Sequence, residues 1–241
     1  MNLRRRRRVA ASLLAVGLLL AGCSGRLDAP DGAVLSGDPV PQGWLAEAAE
    51  VVPLDRNRSR IAVRVYRAGR LARLGHNHLV EVTELDGELR ALPSGGGVAR
   101  LVFRPDRLRV DDPAARARAG EAFAQMPDTA AIEGTRSNML GPQVLDAAGW
   151  PQVRVLARID DLGAAQPQAE VHLSLRGVGR RYRLPVTVER TTGAVSVSGS
   201  LKMKQSDFGV VPFSVMGGAL QVRDVLEIDF RVAGRISGPA L

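Results

Sequence analysis

Apolar and polar residues alternate one by one along several segments of this 241-residue chain. In the clearest segment, 226–232, four apolar residues are separated by three charged ones. Successive side chains of a β-strand point to opposite faces, so this pattern predicts strands with one buried face. Eight segments of the chain read as strands in this way: 61–65, 79–92, 98–104, 153–159, 171–175, 182–188, 195–203 and 226–232.

The region from 112 to 148 lacks this alternation and is rich in Ala, Arg, Glu and Met. Asp111 or Asp112 can cap a helix that begins at Pro113. A second helix is expected to end at Met139, shortly before a Gly-Pro pair. The sequence therefore predicts an all-β fold, an antiparallel barrel or sandwich with one or two short mid-chain helices. A closed barrel is favoured because it leaves no unpaired strand edges.

The amino-terminal residues have the features of an export signal. Five arginines, Arg4–Arg8, precede an apolar run over 9–20 that is shorter than the ~20 residues needed to cross a bilayer. Leu-Ala-Gly-Cys follows at 20–23, and Cys23 is the only cysteine of the chain. The alternative is an ordinary signal peptide with a cysteine at this place by chance.

The stretch around Cys23 resembles the bacterial lipobox. The resemblance implies a lipoprotein signal peptide over 1–22, an acylated Cys23 as membrane anchor, and a location in the periplasm. Serine rather than aspartate follows Cys23, which favours the outer membrane. Residues 23–52 are rich in Gly, Pro, Asp and Ser at their start and predict a flexible tether. Within this tether, Trp44–Val52 is amphipathic and can be helical, and it can either pack against the edge of the domain or touch the membrane.

Composition limits what the rest of the chain can do. The formal net charge is +8, of which five charges belong to Arg4–Arg8, so the mature chain is near +3. That excess is too small to indicate a nucleic-acid partner. An acylated Cys23 leaves no thiol for a disulfide, a nucleophile or a metal. With no recognisable catalytic motif, the sequence predicts a protein that is not an enzyme and has no cofactor.

Five segments of the chain carry a family resemblance through their order and spacing: Ser59–Val65, Thr135–Leu140, Leu145–Pro151, Leu173–Val178 and Gln205–Val210. Together they resemble the YceI-like family of exported lipocalin-like barrels. The resemblance covers about 54–236 and implies an eight-stranded antiparallel lipocalin-like barrel over 53–241. It also implies that the barrel holds a polyisoprenoid or another lipid-like amphiphile.

A lipid-binding interior needs apolar side chains and a few polar groups at its opening. The candidate ligand-binding residues are His76, His78, Phe103, Phe123, Met139, Phe208, Phe213 and Met216.

The two histidines allow three interpretations. They can form a polar turn, hydrogen-bond a ligand head group, or bind a transition metal with a third ligand such as His172 or Glu81. His172 lies off the apolar face of its strand and is expected to be exposed. Besides lipid binding, two functions therefore stay open: a metal-binding protein that uses His76 and His78, and a structural or interaction module with a filled interior.

Overall fold

The computed structural model describes residues 34–35, 43–48 and 50–236. Within these ranges the strands pair antiparallel throughout and form sheets of seven, six and three strands, with three short α-helices. The prediction of an all-β antiparallel fold is confirmed. None of the helices in the described part is long and apolar enough to cross a membrane.

The elements are numbered along the chain. The α-helices are α1 (Gly43–Ala46), α2 (Pro113–Arg118) and α3 (Thr129–Leu140). The strands are β1 (Val34–Leu35), β2 (Glu50–Val52), β3 (Arg60–Val65), β4 (Arg67–Ala68), β5 (His78–Val82), β6 (Asp86–Ala91), β7 (Gly97–Phe103), β8 (Leu108–Val110), β9 (Val153–Ile159), β10 (Gln168–Leu175), β11 (Val178–Pro185), β12 (Thr187–Thr191), β13 (Ala194–Lys204), β14 (Ser214–Val215), β15 (Leu220–Val222) and β16 (Val225–Arg235).

The two large sheets face each other, and the chain passes from one to the other. The first sheet has the order β1-β11-β10-β9-β7-β6-β2, and the second has the order β12-β13-β16-β3-β5-β8. Only Val186 separates β11 from β12, and Leu54, just after β2, pairs with Gly234 of the second sheet. The third sheet, β14-β15-β4, lies at one end.

Strand pairing therefore differs from the predicted ring of eight strands. The described residues form two large ladders because the connecting strand breaks at Val186. The Val186 amide donates to the carbonyl oxygen of Pro167, at 3.0 Å, which continues the β10–β11 pairing beyond Gln168 and Pro185, whereas Thr187 already pairs with Ser198 of the second sheet. The predicted strand over 79–92 is likewise two strands, β5 and β6, which belong to different sheets.

The alternation in β16 sets which side of the second sheet faces the first. Ile228 and Phe230 point into the space between the sheets. Glu227 and Asp229 point outwards, where Glu227 pairs with Lys202 and Asp229 with Arg64. Eleven register pairs join β16 to β13 and make this ladder the longest described.

Both helices predicted in the middle of the chain are present. The Asp112 carboxylate caps α2 by accepting a 2.9 Å hydrogen bond from the Ala115 amide, with Pro113 in the first turn. The Asp128 carboxylate caps α3 through the Ala131 amide at 2.7 Å. Each cap satisfies one of the four amides that a helix start leaves without an internal partner.

The predicted flexible tether over 23–52 ends earlier than expected. Glu50–Val52 pairs with β6, and Ala48 is buried. Only Gly43–Ala46 is helical within the amphipathic piece. The tether prediction was wrong at this end because Trp44, Leu45 and Ala48 pack on the first sheet. Cys23 lies outside the described residues, as does the signal peptide predicted for 1–22.

Candidate functional site

A cavity of about 800 Å³ lies between the two large sheets. The first sheet contributes inward side chains such as Val155 and Val171, and the second contributes Val63 and Ile228. Its wall is mostly aliphatic because every second residue of these strands is Val, Leu, Ile or Ala. The cavity is thus the direct product of the period-two pattern on two facing sheets.

The wall of the cavity is only partly buried. Ile228, Phe230 and Val232 line the cavity but are intermediate in exposure. Side chains in a filled core are close-packed and dry, so these positions would be buried if the sheets met directly. Small side chains add to the space, since Ala99 and Ala157 are partners on β7 and β9 and both line it. The interior is a hollow that an apolar molecule can occupy.

Polar side chains gather at one end of the cavity, which we call the mouth. The imidazole rings of His76 and His78 lie there with their centroids 6.2 Å apart. Thr135 and Asn138 of α3 face them, and Gln221 of the small sheet lies on the same wall. These groups can hydrogen-bond the polar end of an amphiphile whose chain fills the apolar part.

His78 is held in place from both sides of its ring. Its Nδ1 atom is 2.6 Å from the Asp111 carboxylate, and its Nε2 atom is 3.2 Å from the Thr135 hydroxyl. The bond to Asp111 fixes the orientation of the ring, and the bond to Thr135 joins β5 to α3. Of the two histidines, His76 therefore has the freer ring for a ligand.

A buried charge cluster supports His78 from behind. Asp111 and Arg116 are almost fully buried and paired, and the Leu79 amide donates a 2.9 Å bond to Asp111. Arg116 also donates to the carbonyl oxygens of Asn77, at 2.8 Å, and Gln125, at 2.6 Å. Burial raises the pKa of the Asp111 carboxyl, but the bonds from His78, Leu79 and Arg116 outweigh it and hold the pKa below its ordinary value.

The opposite end of the cavity carries a different set of polar residues. Glu50, Arg90 and Arg190 lie there, next to the glycine turn over 95–97. Arg90 is paired with Glu88 at 3.1 Å. With polar groups at both ends and an aliphatic wall between them, the cavity suits a long, mostly apolar molecule.

The structure brings five of the eight candidate ligand-binding residues to the cavity wall. His76 and His78 lie at the mouth. The other three are Phe103 at the end of β7, Met139 on α3 and Phe213 before β14.

Three candidates lie away from the cavity. Phe123 is buried on the outer side of the second sheet, against Tyr66 at 5.6 Å and below α2. Phe208 is fully buried under the guanidinium of Arg180, 5.6 Å from its ring. Met216 is exposed on a turn beside the mouth. Hydrophobicity alone does not distinguish a side chain of the cavity wall from one that packs elsewhere in the protein.

The expectation that His172 is exposed was wrong. His172 is 5% exposed because Trp44 covers it edge-on, with ring centroids 5.0 Å apart. It lies on the outer face of the first sheet, so it does not join His76 and His78. Glu81 pairs with Arg60 at 3.0 Å. Within the described ranges, no three His, Cys, Asp or Glu side chains form a group that could hold a metal ion.

The sequence did not indicate the groups behind the mouth. Asp111 was considered only as a helix cap, and Arg116 and Thr135 had no predicted role at the site. The left-handed backbone of Asp111, with φ of 56°, turns its carboxylate towards His78. Asp and Asn adopt this conformation more readily than other non-glycine residues. An aspartate between a predicted strand and a predicted helix was the available signal.

The fold agrees with comparisons to known proteins. The family model of the YceI-like domain matches residues 104–233, which is more than half of the chain. This chain belongs to the YceI-like family. The resemblance that the five sequence segments indicated is therefore confirmed.

Two solved structures share the fold of this YceI-like chain. Burkholderia cenocepacia BcnA is 15% identical with a TM-score of 0.55, over 75% of this chain and 98% of BcnA. A polyisoprenoid binding domain from Saccharophagus degradans, implicated in plant cell wall breakdown, is 13% identical with a TM-score of 0.50, over 78% of this chain and 100% of that domain. No curated protein sequence matches this chain. At these identities the likeness concerns the fold.

Proposed function

We propose that this YceI-like protein binds a lipid-like amphiphile, of the polyisoprenoid or fatty acyl class, between its two large sheets and catalyses no reaction. The observation that carries the proposal is the hollow of about 800 Å³ with a partly exposed aliphatic wall. Small-molecule sites in proteins typically measure about 300–1,000 Å³ and are mostly apolar. The polyisoprenoid binding of the Saccharophagus degradans domain supports the same class of ligand.

The energy for binding comes from the acyl or prenyl chain. Each methylene that leaves water for an apolar wall contributes about 0.8 kcal/mol. The polar groups at the mouth, His76 and Asn138 among them, then orient the head group rather than supply most of the affinity. We propose that the two sheets act together as a lipocalin-like barrel around the acyl or prenyl chain of the ligand.

The proposal includes a location. Arg4–Arg8, the apolar run over 9–20 and Cys23 support export to the periplasm and attachment to a membrane through an acylated cysteine, with the outer membrane favoured by Ser24. A membrane-held carrier stays close to the source of its apolar ligand. Metabolic labelling with a radioactive fatty acid tests the anchor, since Cys23→Ala removes the label if the proposal holds.

The first experiment looks for the ligand itself. The full-length Cys23→Ala chain, which carries no acyl group, is purified without detergent. One portion is extracted with organic solvent and the extract is analysed by mass spectrometry, and another portion is freed of lipid under native conditions. We expect a near-stoichiometric apolar molecule. The empty chain is then titrated with a fluorescent polyene fatty acid, and we expect saturable binding with one site per chain.

A pair of variants shows whether the molecule binds in the hollow. Leu201 and Ile228 are cross-strand partners that both line the cavity, so Leu201→Trp/Ile228→Trp narrows it at mid-height. Ser200 and Lys202 flank Leu201 on the same strand but face outwards, so Ser200→Trp/Lys202→Trp is the matched control. We expect the first variant to lose binding at least about tenfold and the control to bind normally. Equal binding by both variants, or no bound lipid in any preparation, contradicts the proposal.

A further inference from the structure

Exposed apolar side chains are concentrated at one end of the molecule. Eight large hydrophobic residues are exposed within the described ranges, and five of them lie on connected segments at the end of the molecule that carries the mouth. We call these five the rim: Leu74, Trp150, Val211, Phe213 and Met216. Leu74, Val211 and Met216 are each more than 60% exposed. Single exposed hydrophobic residues are ordinary, but a cluster beside an opening indicates an interaction surface.

Backbone contacts tie the first part of the rim together. The Leu71 amide donates to the Ala219 carbonyl oxygen at 2.8 Å, which places Leu74 beside the turn that begins at Met216. The Val222 amide donates to the Phe213 carbonyl oxygen at 2.9 Å. These segments belong to the small third sheet and its flanking turns.

The second part of the rim continues from the first. The Val211 amide donates to the Gln143 carbonyl oxygen at 3.2 Å. The Arg176 guanidinium bridges the carbonyl oxygens of Gly209, at 2.8 Å, and Pro142, at 3.0 Å. Trp150 packs against Gly177, where an added Cβ would lie 2.4 Å from its ring. Five side chains from distant parts of the sequence thus share one face.

Basic side chains outnumber acidic ones around this face. The segments 67–78 and 208–223, which supply four of the five rim residues, contain four arginines and no aspartate or glutamate. Three aspartates lie next to them: Asp207 and Asp224 border the second segment, and Asp146 precedes Trp150. Arg70 and Arg73 are exposed beside Leu74, and Arg223 is exposed behind β15. An apolar face with basic residues around it matches a bilayer surface that carries anionic lipids.

We propose that the rim docks on an anionic membrane surface with the mouth of the cavity facing the lipid. The proposal rests on the proposed function, because a ligand with a long apolar chain can then pass between bilayer and cavity without crossing water. The exposed side chains of Phe213 and Met216 enter the acyl region, and Arg70 and Arg73 contact the phosphate groups.

Trp150 provides a direct measurement of this contact. The chain has two tryptophans, so Trp44→Phe leaves Trp150 as the only one in the full chain. This protein is mixed with vesicles of phosphatidylcholine containing one quarter phosphatidylglycerol, with brominated acyl chains as quenchers. We expect Trp150 fluorescence to shift to the blue and to be quenched. Attachment by the amino-terminal region alone would leave Trp150 in water and its emission unchanged.

Three variants in the Trp44→Phe background test whether vesicle binding depends on the rim rather than on exposed apolar side chains in general. Met216→Asp is expected to lower the vesicle affinity seen by Trp150 at least about tenfold. Val51→Asp replaces another exposed apolar residue, near the far end of the cavity beside Glu50, and is expected to leave the vesicle affinity unchanged. Arg70→Glu/Arg73→Glu is expected to remove the preference for vesicles that contain phosphatidylglycerol.

The outcomes decide between the rim and the ligand site. Unquenched Trp150 in the presence of vesicles overturns the rim proposal, as does equal quenching in Met216→Asp. A concentration-dependent dimer that hides Trp150 assigns the face to a second copy and also overturns it. Saturable binding of the polyene fatty acid without vesicles reports on the cavity independently, so a chain that fails one test and passes the other identifies which proposal is wrong.

Discussion

At the scale of single residues, the buried carboxylate of Asp111 organises the mouth. It accepts hydrogen bonds from His78 and the Leu79 amide and pairs with Arg116. Removing one member of a buried ion pair leaves the other charge without compensation, which costs more than the pair itself contributes. The orientation of His78 therefore depends on a residue that does not line the cavity.

Asp111→Asn is expected to destabilise the fold by about 3 kcal/mol because Arg116 loses its counter-charge. Asparagine tolerates the left-handed backbone at this position, so the cost is electrostatic. Asp112→Asn is the matched control, since asparagine caps a helix as well as aspartate does. Urea titration of both variants checks the prediction, and equal midpoints would contradict it.

The difference in stability between the unaltered chain and Asp111→Asn is expected to depend on pH. The folded pKa of Asp111 lies below its ordinary value, so its contribution is present above the ordinary aspartate range and is lost as the pH falls through the folded pKa. The stability difference between the unaltered chain and Asp111→Asn should therefore shrink in acid. Urea midpoints measured from neutral pH downwards test this.

Tyr182 is expected to affect the stability of the fold at alkaline pH. Its hydroxyl is buried with no hydrogen-bond partner among the described residues, and burial raises its pKa from 10.0 to about 12. The unfolded chain loses this proton first, so Tyr182 makes the fold less stable as the pH rises from 10 to 12. Tyr182→Phe should remove that loss and raise the stability at neutral pH by about 1 kcal/mol.

Tyr66→Phe is the contrasting control for this prediction. The Tyr66 hydroxyl donates a 2.9 Å hydrogen bond to Glu227, so its removal should lower the stability at neutral pH. Denaturation monitored by circular dichroism compares the two variants. A loss of stability in Tyr182→Phe similar to that in Tyr66→Phe would show that the Tyr182 hydroxyl has a partner.

Single residues also show where sequence reasoning reaches its limit. Ile228 and Phe230 were predicted to face inwards, and they do, because the period of a strand fixes the direction of each side chain. The burial of His172 was missed because Trp44, which covers it, is far away in the sequence. Long-range covering of an outer sheet face leaves no trace in the local pattern.

At the scale of elements, the small third sheet holds the rim in place through a close approach at Gly69. A Cβ at Gly69 would lie 2.4 Å from the Ala219 carbonyl oxygen, and its φ is +89°. Gly95 has nearly the same φ, +87°, but no atom within 4 Å of the added Cβ. The two glycines therefore share the backbone requirement and differ in the space around them.

Gly95→Ala should cost about 1 kcal/mol, the backbone penalty alone. Gly69→Ala carries the same penalty and must also move β15 away from β4. We expect it to cost at least twice as much and to increase proteolysis near Ala219. Thermal unfolding and limited proteolysis check this, and equal costs for both variants would show that the third sheet is easily displaced.

Elements were predicted best where alternation is long and continuous. The strand over 153–159 and the helix ending near Met139 match the structure to within one residue. The segment 79–92 did not, because it turns at Leu85 and enters the other sheet. Alternation shows which side chains of a strand face the interior, but it does not show to which sheet the strand belongs.

At the scale of the whole molecule, a ligand bound in the cavity is expected to raise the free energy of unfolding. A molecule that binds only the folded chain adds about 2.7 kcal/mol when present at one hundred times its dissociation constant. The protein freed of its lipid should therefore have a lower melting temperature than the protein as purified. Adding the lipid back should restore the higher melting temperature. Leu201→Trp/Ile228→Trp should show no such difference. Identical melting before and after extraction would contradict occupancy of the cavity.

The sequence could not show how far apart the two sheets stand. The inward residues Val63 and Val155 would look the same in a filled sandwich and in an open cavity. Only the three-dimensional spacing, here the 800 Å³ between the sheets, separates these cases. The family resemblance supplied the expectation of a ligand, and the local pattern supplied the wall.

The partial exposure of Ile228 and Phe230 affects how this protein behaves in routine assays. Fluorescent dyes such as ANS brighten on apolar surface that water can reach, and brightening is commonly taken as a sign of a molten state. An empty, fully native chain would give the same signal from its interior. For this protein, dye fluorescence that falls when fatty acid is added would show that the dye was bound in an unoccupied cavity. Dye fluorescence that rises on heating would show loss of structure.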